Sequence, residues 1–226
     1  MASYYWSMLL LVPALVLGIY AQAKVSSAFN RYSQVASRRG LTGAQVARLL
    51  LDSAGLNSVG IEVAGSKLSD HYDPRDRSLT LSPQVGNSNS LAALGVAAHE
   101  AGHAMQHAEG YAAFRLRSAI VPVANFGNYG GFLLFFVGLA FFRSGLLMTV
   151  GILLFSAAVL FTLVTLPVEF NASRRAMTLL ENRSILMGEE LEGAKKVLSA
   201  AALTYVAAAL MAILQLVRLI LISRER

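Results

Sequence analysis

Long apolar stretches separated by mixed ones predict four membrane-spanning helices along the chain. The predicted spans cover about 4–21, 119–142, 145–167 and 200–222, each close to the roughly 20 apolar residues that cross a bilayer. The third span has no charged residue between Arg143 and Glu169. The fourth contains Gln215 and Arg218, so we expect its far end to lie at the headgroups, where an arginine side chain can extend to water.

The first apolar stretch has a second interpretation as a secretory signal peptide. Ala21-Gln22-Ala23 is typical of the small-residue site at which such peptides are cleaved. However, residues 1–6 contain no lysine or arginine, whereas a signal peptide begins with a positively charged region. The aromatic residues near this end are typical of the membrane interface. We therefore favour a retained membrane anchor.

The region between the first and second spans begins with two predicted helices. A polar, basic stretch over 24–39 favours a helix that Gly40 ends. Thr42 and Gln45 form a capping-box pattern at the start of a second, amphipathic helix, and Gly55 closes it.

Further along the same region, the period of the apolar residues changes and indicates strands. Alternating runs at 61–63 and 78–81 are separated by Asp73-Pro74-Arg75-Asp76, which is a turn sequence. These runs predict a small β-hairpin or pair of edge strands. Pro83 stops the second strand.

A helix predicted over 91–108 carries the most informative motif, His99-Glu100-Ala101-Gly102-His103. The Ser88-Asn89-Ser90 cluster caps its start, and Gly110 follows its end. Residues four apart lie on one helical face, so both imidazoles can reach one zinc ion, and Glu100 can take a proton from the water that zinc activates. Two solvated histidines are the alternative, but the residues before the motif are almost wholly apolar and predict burial.

Composition supports an all-α integral membrane protein with a small cytoplasmic helical domain that carries the short β-hairpin. Of the 226 residues, 55% are hydrophobic and 14% are charged, and the mean hydropathy is +0.54, whereas soluble domains have about 25% charged residues. No repeat or linker divides the chain. We therefore expect a single membrane-embedded domain over 1–226, with the site formed by the regions 23–118 and 168–199. Cysteine is absent, which leaves His, Asp and Glu as metal ligands.

The basic residues predict the orientation in the membrane. Of 19 lysines and arginines, 10 lie between the first and second spans and 5 between the third and fourth. The positive-inside rule therefore places both regions in the cytoplasm and both termini outside. Arg218, Arg224 and Arg226 oppose this orientation and are outnumbered.

The net charge of +6 is thus explained by topology, and no basic stripe with interleaved aromatics indicates nucleic-acid binding. The expected partner is the lipid bilayer.

A catalytic zinc site needs a third protein ligand, and Glu169 is the most suggestive candidate. A tight turn near 143–145 joins the second and third spans, so the chain returns to the side of the zinc motif just before Glu169. We place Glu169 in the first turn of a new helix. There it has a second interpretation, as a carboxylate that stabilises a helix N-terminus. The remaining histidines are His71 and His107.

The motifs together resemble a known family. His99-Glu100-Ala101-Gly102-His103, followed after two spans by Glu169-Phe170-Asn171-Ala172, looks like the membrane-bound zinc endopeptidases that include the HtpX-like and CAAX prenyl proteases. The chain is most similar to the YugP-like neutral zinc metallopeptidase branch, with further support from His71-Tyr72-Asp73-Pro74-Arg75 and Ala201-Ala202-Leu203-Thr204-Tyr205.

The resemblance covers nearly the whole chain and implies a ligand set and a mechanism. It implies that His99, His103 and Glu169 bind Zn²⁺ and that Glu100 is the general base. The chain departs from the HtpX-like pattern at one position. Those proteins commonly have an Asp four residues after the ligand Glu, where this chain has Ser173, so a carboxylate that orients a zinc histidine must come from elsewhere or be absent.

Three other residues are candidates for supporting roles. His71 could donate a hydrogen bond to the oxyanion that forms during hydrolysis, although a histidine in a turn is more often structural. Tyr205, a hydroxyl within the fourth span, could stabilise the same intermediate or simply pack. His107 shares the face of the two motif histidines. However, His99, His103 and His107 are spread over about 12 Å of helix, so all three could bind one ion only if the helix were strained. We therefore expect His107 to support a ligand or cap the helix end.

The expected function is hydrolysis of peptide bonds in membrane-associated or unfolded polypeptides, with the active site on the cytoplasmic side of a bacterial cell membrane. One alternative is a catalytically inactive metal-binding membrane scaffold, although such a site has no need for the base Glu100. Another is a metal transporter, which predicts ionisable residues within the spans, and the second and third spans have none. The sequence leaves the oligomeric state open.

Overall fold

The computed structural model describes residues 7–65 and 70–224, and most of them are helical. In chain order the helices are α1 (Val12–Tyr32), α2 (Gly43–Ser53), α3 (Pro83–Gly86), α4 (Leu91–Ala108), α5 (Ala112–Phe126), α6 (Phe132–Val137), α7 (Gly145–Asn182) and α8 (Glu189–Arg224). The strands are β1 (Gly60–Val63), β2 (His71–Asp73) and β3 (Ser78–Leu81).

The chain forms two compact units, which we describe separately. The span unit comprises 7–22, 115–167 and 203–224, and the site unit comprises Ala23–Phe114 and Val168–Ala202. Both long regions between the predicted spans thus contribute to one unit.

Four helical stretches are long and apolar enough to cross a membrane, as the sequence predicted. They run over Ser7–Tyr32, Ala112–Phe142, Gly145–Asn182 and Glu189–Arg224. Residues 4–6 of the first predicted span, and the N-terminal residues that distinguish an anchor from a signal peptide, lie outside the described residues.

Small residues pack the second stretch against the third within the span unit. The second stretch continues through two π-helical turns, at Gly127–Gly131 and Gly138–Phe142, and Arg143 then takes a left-handed conformation before α7 begins. A Cβ atom on Gly131 would lie 2.8 Å from the Gly151 carbonyl oxygen. Glycine at this crossing therefore permits the close backbone approach that membrane helices use for packing.

Two predicted helix boundaries were wrong. The separate basic helix expected over 24–39 does not form, because α1 continues without a break from the first span and ends at Tyr32. Glu169 does not lie in the first turn of a new helix, because α7 runs through Pro167 as one helix of 38 residues. Membrane helices tolerate an internal proline because neighbouring groups can satisfy the freed backbone carbonyl. An interior position also removes the N-terminal interpretation of Glu169.

The site unit contains a three-stranded sheet rather than the predicted hairpin. Strand order is β1-β3-β2, with β1 parallel to β3 and β2 antiparallel to β3. The turn sequence at 73–76 therefore connects β2 to β3, and the predicted partners β1 and β3 run in the same direction. The strand β2 was missed because it has only three residues, His-Tyr-Asp, too few to show an alternating pattern.

The caps that the sequence predicted are present in the site unit. Thr42 and Gln45 form a reciprocal capping box at the start of α2. Ser90 is the N-cap of α4, and its hydroxyl accepts a hydrogen bond from the Ala93 backbone N–H at 3.3 Å. The core of the unit is formed by α2, β3 and α4 together with apolar residues from the ends of α7 and α8. Thus α4, which carries the zinc motif, lies in the centre of this core.

Candidate metal centre

The first half of the site is a helix packed so tightly that its polar side chains can point in few directions. Most of α4 is buried, and alanine and glycine occupy half of its positions. His99 and His103 lie one turn apart on the same face, with ring centroids 4.7 Å apart and the rings almost perpendicular. Both imidazoles therefore face one region, as the four-residue spacing predicted.

The third group comes from α7. The Glu169 carboxylate oxygen Oε2 lies 3.2 Å from His99 Nε2 and 3.6 Å from His103 Nε2. The three potential ligand atoms all lie within 4.8 Å of one another. The side chains of His99, His103 and Glu169 are only 13%, 9% and 3% exposed. The structure therefore brings together the three predicted ligands in a protected cluster.

Gly102 permits the close approach of the two helices that carry these groups. A Cβ atom at this position would lie 2.9 Å from the Ala172 carbonyl oxygen, a distance that would force the backbones apart. Ala172 is one turn beyond Glu169 on α7. The glycine inside the H-E-x-x-H motif thus sets the spacing between the histidines and the carboxylate.

Gln106 fixes the orientation of the His103 ring. Its amide nitrogen donates hydrogen bonds to the Val168 backbone carbonyl at 2.8 Å and to Asn171 Oδ1 at 2.9 Å. Both amide hydrogens are therefore used, so the amide oxygen is the atom that faces His103 Nδ1, at 2.9 Å. An amide oxygen only accepts. His103 Nδ1 must then carry the hydrogen, which leaves its Nε2 lone pair directed at the cluster.

Ser173 contacts the other imidazole. Its hydroxyl Oγ lies 3.1 Å from His99 Nδ1. Ser173 occupies the position where the HtpX-like pattern has an aspartate. A neutral hydroxyl and a neutral amide thus contact the two Nδ1 atoms and orient both rings. The amide oxygen also selects the tautomer of His103, whereas a hydroxyl can donate or accept and therefore suits either tautomer of His99.

A charged pair supports this network from the outside. Asn171 Oδ1 also accepts a hydrogen bond from Arg175 Nε at 2.7 Å, and Arg175 forms a bidentate pair with Glu109 at 2.6 and 2.7 Å. The guanidinium lowers the pKa of Glu109. Exposed ion pairs contribute little stability, so the main effect of this one is to hold Asn171 where it accepts from Gln106.

Glu100 lies beside the cluster and is buried, with 8% of its surface exposed. Burial lowers the pKa of His103, but the hydrogen bond to Glu169 and the charges of Glu100 and Glu169 outweigh it and raise that pKa above its ordinary value of 6.5. The negative charge of the surrounding carboxylates therefore favours a cation within the cluster.

The donor set fits zinc. Two imidazole nitrogens and one carboxylate oxygen form the ligand set of one class of catalytic zinc sites, which keep a further position open for water or substrate. The described residues contain this one cluster of three groups with metal-binding geometry. Both Nε2 atoms are directed towards it because both Nδ1 atoms have partners in the protein.

The cluster of three groups does not include the other predicted residues that the structure describes. His71 is exposed on the edge strand β2 and pairs with Thr80 of β3. His107 lies in the last turn of α4, where its Nδ1 atom is 2.9 Å from the Tyr72 hydroxyl. Tyr205 lies on α8 in the span unit and is half-buried. The catalytic roles of His71 and Tyr205 therefore remain predictions.

Sequence reasoning missed Gln106 and Asn171. Gln106 has no exposed surface, and a glutamine buried three residues after a motif histidine was the available signal, because residues three apart share a helical face. Its partners, however, come from the backbone and side chains of α7. No local pattern in the sequence places these residues beside α4.

Comparison with known proteins places the chain in a class that agrees with this geometry. Residues 7–224 match the family described as "Putative neutral zinc metallopeptidase", and the chain belongs to this family. It is similar to the "Putative membrane protease YugP" of Bacillus subtilis (strain 168), with 48% identity over 213 residues that cover 94% of each chain. No solved structure matches the chain. The chain is thus a membrane protein of the zinc metallopeptidase family.

Proposed function

We propose that this protein is a membrane-bound, zinc-dependent endopeptidase, with His99, His103 and Glu169 as the metal ligands. The convergence of these three side chains beside the buried Glu100 carries the proposal. Zinc, when bound, supplies a positive charge that makes water more acidic and polarises the carbonyl of a peptide bond.

Glu100 is the general base in this proposal. Its position directly after His99 on α4 allows its carboxylate to accept a proton from the attacking water and to pass that proton to the leaving amine. Ser173 and Gln106 hold the two imidazoles in place. We further propose that His71 or Tyr205 donates a hydrogen bond to the oxyanion, which a His71→Ala or Tyr205→Phe variant would test through kcat.

The substrates in this proposal are membrane-associated or unfolded polypeptides. Family membership and the four apolar helices support such substrates. An extended chain could add to an open sheet edge, as many peptides do when they bind a protein. Because β3 is the central strand, the candidate edges are β1 and β2.

The test of this function compares Glu100→Gln with Glu181→Gln, a control at an exposed position of α7. Wild type and control should each bind about one zinc per chain and cleave casein-like substrates. Glu100→Gln should keep the metal but lose about 10²- to 10⁴-fold in turnover, the usual contribution of general acid–base catalysis. Undiminished turnover by Glu100→Gln would refute the role of this residue.

We propose that the site unit faces the cytoplasm of a bacterial cell, on the basis of the basic residues between the spans. The chain contains no cysteine, so single cysteines can report accessibility without background. Exposed Arg39 belongs to the site unit and exposed Arg143 to the turn before α7. In intact cells a membrane-impermeant maleimide should label Arg143→Cys and spare Arg39→Cys; the reverse pattern would overturn the orientation.

A further inference from the structure

A cavity within the site unit is lined by the end of α4, directly after the candidate metal centre. It has a volume of about 300 Å³. One wall is the loop that carries Leu56, Ser58 and Val59, another contains Tyr72 and Arg77, and the third is the end of α4, with His107 and two alanines. At roughly 30 Å³ for each water in the liquid, this cavity has room for one long side chain together with some water.

The zinc motif and the cavity share one helix. His107 follows His103 by one turn on the same face of α4, a rise of about 6 Å. The Phe114 ring contacts both imidazoles, with centroid distances of 6.1 Å to His103 and 5.8 Å to His107. A polypeptide bound at the metal centre therefore has this cavity within reach of a neighbouring side chain.

The walls of the cavity are held in place by hydrogen bonds. The Arg48 guanidinium donates to the Val59 carbonyl at 2.7 Å and to the Leu56 carbonyl at 3.0 Å, which fixes the loop. The Tyr72 hydroxyl and His107 Nδ1 lie 2.9 Å apart, and this hydrogen bond fixes the orientation of both rings. A cavity with preformed walls binds a side chain without first paying the entropy of ordering them.

The charge of the cavity is positive. Arg77 is its one permanently charged lining residue, and the described structure has no ion pair between its guanidinium and a carboxylate. Of the nearby acids, Asp73 contacts Arg75 at 2.6 Å and Glu109 contacts Arg175, while Asp76, the residue before Arg77, is exposed to solvent. The Ser58 hydroxyl can donate a further hydrogen bond to a carboxylate, and the Tyr72–His107 pair, which uses one hydrogen in its own contact, can donate one more.

The backbone at Arg77 keeps this residue at the cavity. Its φ is +50°, a left-handed conformation that is uncommon for a residue other than glycine. Its carbonyl accepts a hydrogen bond from the Gly60 N–H at 3.1 Å, which joins the turn to β1. The sheet thus holds the backbone of Arg77 at the edge of the cavity, within side-chain reach of it.

We infer that this cavity is a specificity pocket that binds an acidic side chain of the polypeptide substrate near the scissile bond, with Arg77 as its charged partner. The inference rests on the proposed endopeptidase function and names the kind of residue that this same site selects. It predicts a preference for glutamate over glutamine at one position of the substrate.

The test uses the full-length protein with zinc, reconstituted in nanodiscs. Cleavage positions in a casein digest are first mapped by mass spectrometry, and two quenched-fluorescence peptides are then made that carry Glu or Gln at the preferred position. The wild type should show about tenfold higher kcat/KM for the Glu peptide, as expected for one charge-assisted hydrogen bond. Arg77→Gln should remove the preference by slowing the Glu peptide only, and Arg77→Lys should keep part of it.

Arg39→Gln is the matched control, because it removes the same charge from an exposed residue of the site unit that does not line the cavity and donates only to backbone carbonyls. It should leave the preference unchanged. Peptide binding to zinc-loaded Glu100→Gln, measured by fluorescence anisotropy, gives a second readout without turnover, and there too Arg77→Gln should weaken only the Glu peptide. A wild type that cleaves without acidic preference, or a preference that survives Arg77→Gln, would overturn the pocket. A wild type without zinc-dependent cleavage would overturn the endopeptidase function itself.

Discussion

The amide oxygen Oε1 of Gln106 lies 2.9 Å from His103 Nδ1. Gln106 follows His103 by one helical turn on α4, and its amide nitrogen donates to two acceptors on α7. This contact connects α4, which carries the two histidines, with α7, which carries Glu169. The amide that orients His103 also contacts the backbone at Val168, the residue before Glu169. The orientation of one ligand therefore depends on the position of the helix that carries another.

Replacement of Gln106 by leucine should weaken zinc binding while the chain still folds. The Leu side chain has a similar size but accepts no hydrogen bond, so the His103 ring loses the group that fixes its tautomer. We expect about a 10- to 100-fold loss of zinc affinity, the usual effect of removing such a partner. Chelator competition measures it, with the thermal unfolding of the metal-free protein as a check on folding.

Gln84→Leu, at an exposed position of α3, is the control for the Gln106 variant and should retain wild-type affinity. If Gln106→Leu binds zinc as tightly as this control, then the amide has no part in positioning His103.

Gly102→Ala should separate the two helices of the site. The added methyl would lie 2.9 Å from the Ala172 carbonyl oxygen, so α4 and α7 must shift, at a cost of about 1–3 kcal/mol of stability for overpacking. The shift moves Glu169 away from the histidines, and we expect a lower zinc affinity. Isothermal titration of the purified variant with zinc measures the change.

The same substitution elsewhere on α4 provides the comparison for Gly102→Ala. At Gly95 the new methyl would meet the Ala194 Cβ at 3.3 Å, a milder contact with a segment that carries no ligand. Gly95→Ala should therefore affect zinc binding less. Equal loss of zinc by the two variants would show that general loosening, rather than the position of Glu169, is responsible.

Zinc binding should depend on pH in the direction set by His103. Its raised pKa stabilises the metal-free fold below the ordinary value of 6.5, and this contribution is lost as pH rises through the higher folded-state pKa. Zinc must displace the same proton. The rise in Tm on adding zinc should therefore be small near about pH 6 and larger near about pH 8, as measured by differential scanning fluorimetry. A zinc-induced shift that is constant over this range would contradict the assignment of His103 as a ligand.

The sequence predicted the parts of the site that depend on local patterns. The Ser90 cap, the bounds of α4 and the shared face of His99 and His103 all follow from capping chemistry and helical period. The four spans follow from apolar length alone. Glu169 was identified as the third candidate, but the helix start expected beside it does not exist. Proline ends most helices of soluble proteins, whereas membrane helices often continue through it, as α7 does at Pro167.

The remaining features depend on contacts between segments far apart in the chain. The parallel pairing of β1 with β3 and the short β2 follow from tertiary packing rather than from the turn at 73–76. The sequence drew attention to Ser173 only because the HtpX-like pattern has an aspartate at this position. Its contact with His99 forms only when α7 packs on α4. The role of Gln106 depends on its hydrogen bonds to Val168 and Asn171, which are more than 60 residues further along the chain.

The most direct test of the account is X-ray absorption at the zinc edge of the purified, zinc-loaded protein, alongside Glu169→Ala. The wild type should show a first shell of nitrogen and oxygen atoms only, at about 2.0–2.2 Å, with the scattering signature of two imidazoles. Glu169→Ala should lose one oxygen neighbour or fail to retain the metal. A wild-type protein that binds no zinc, or whose zinc environment is unchanged in Glu169→Ala, would contradict the central claim that these three side chains form one metal site.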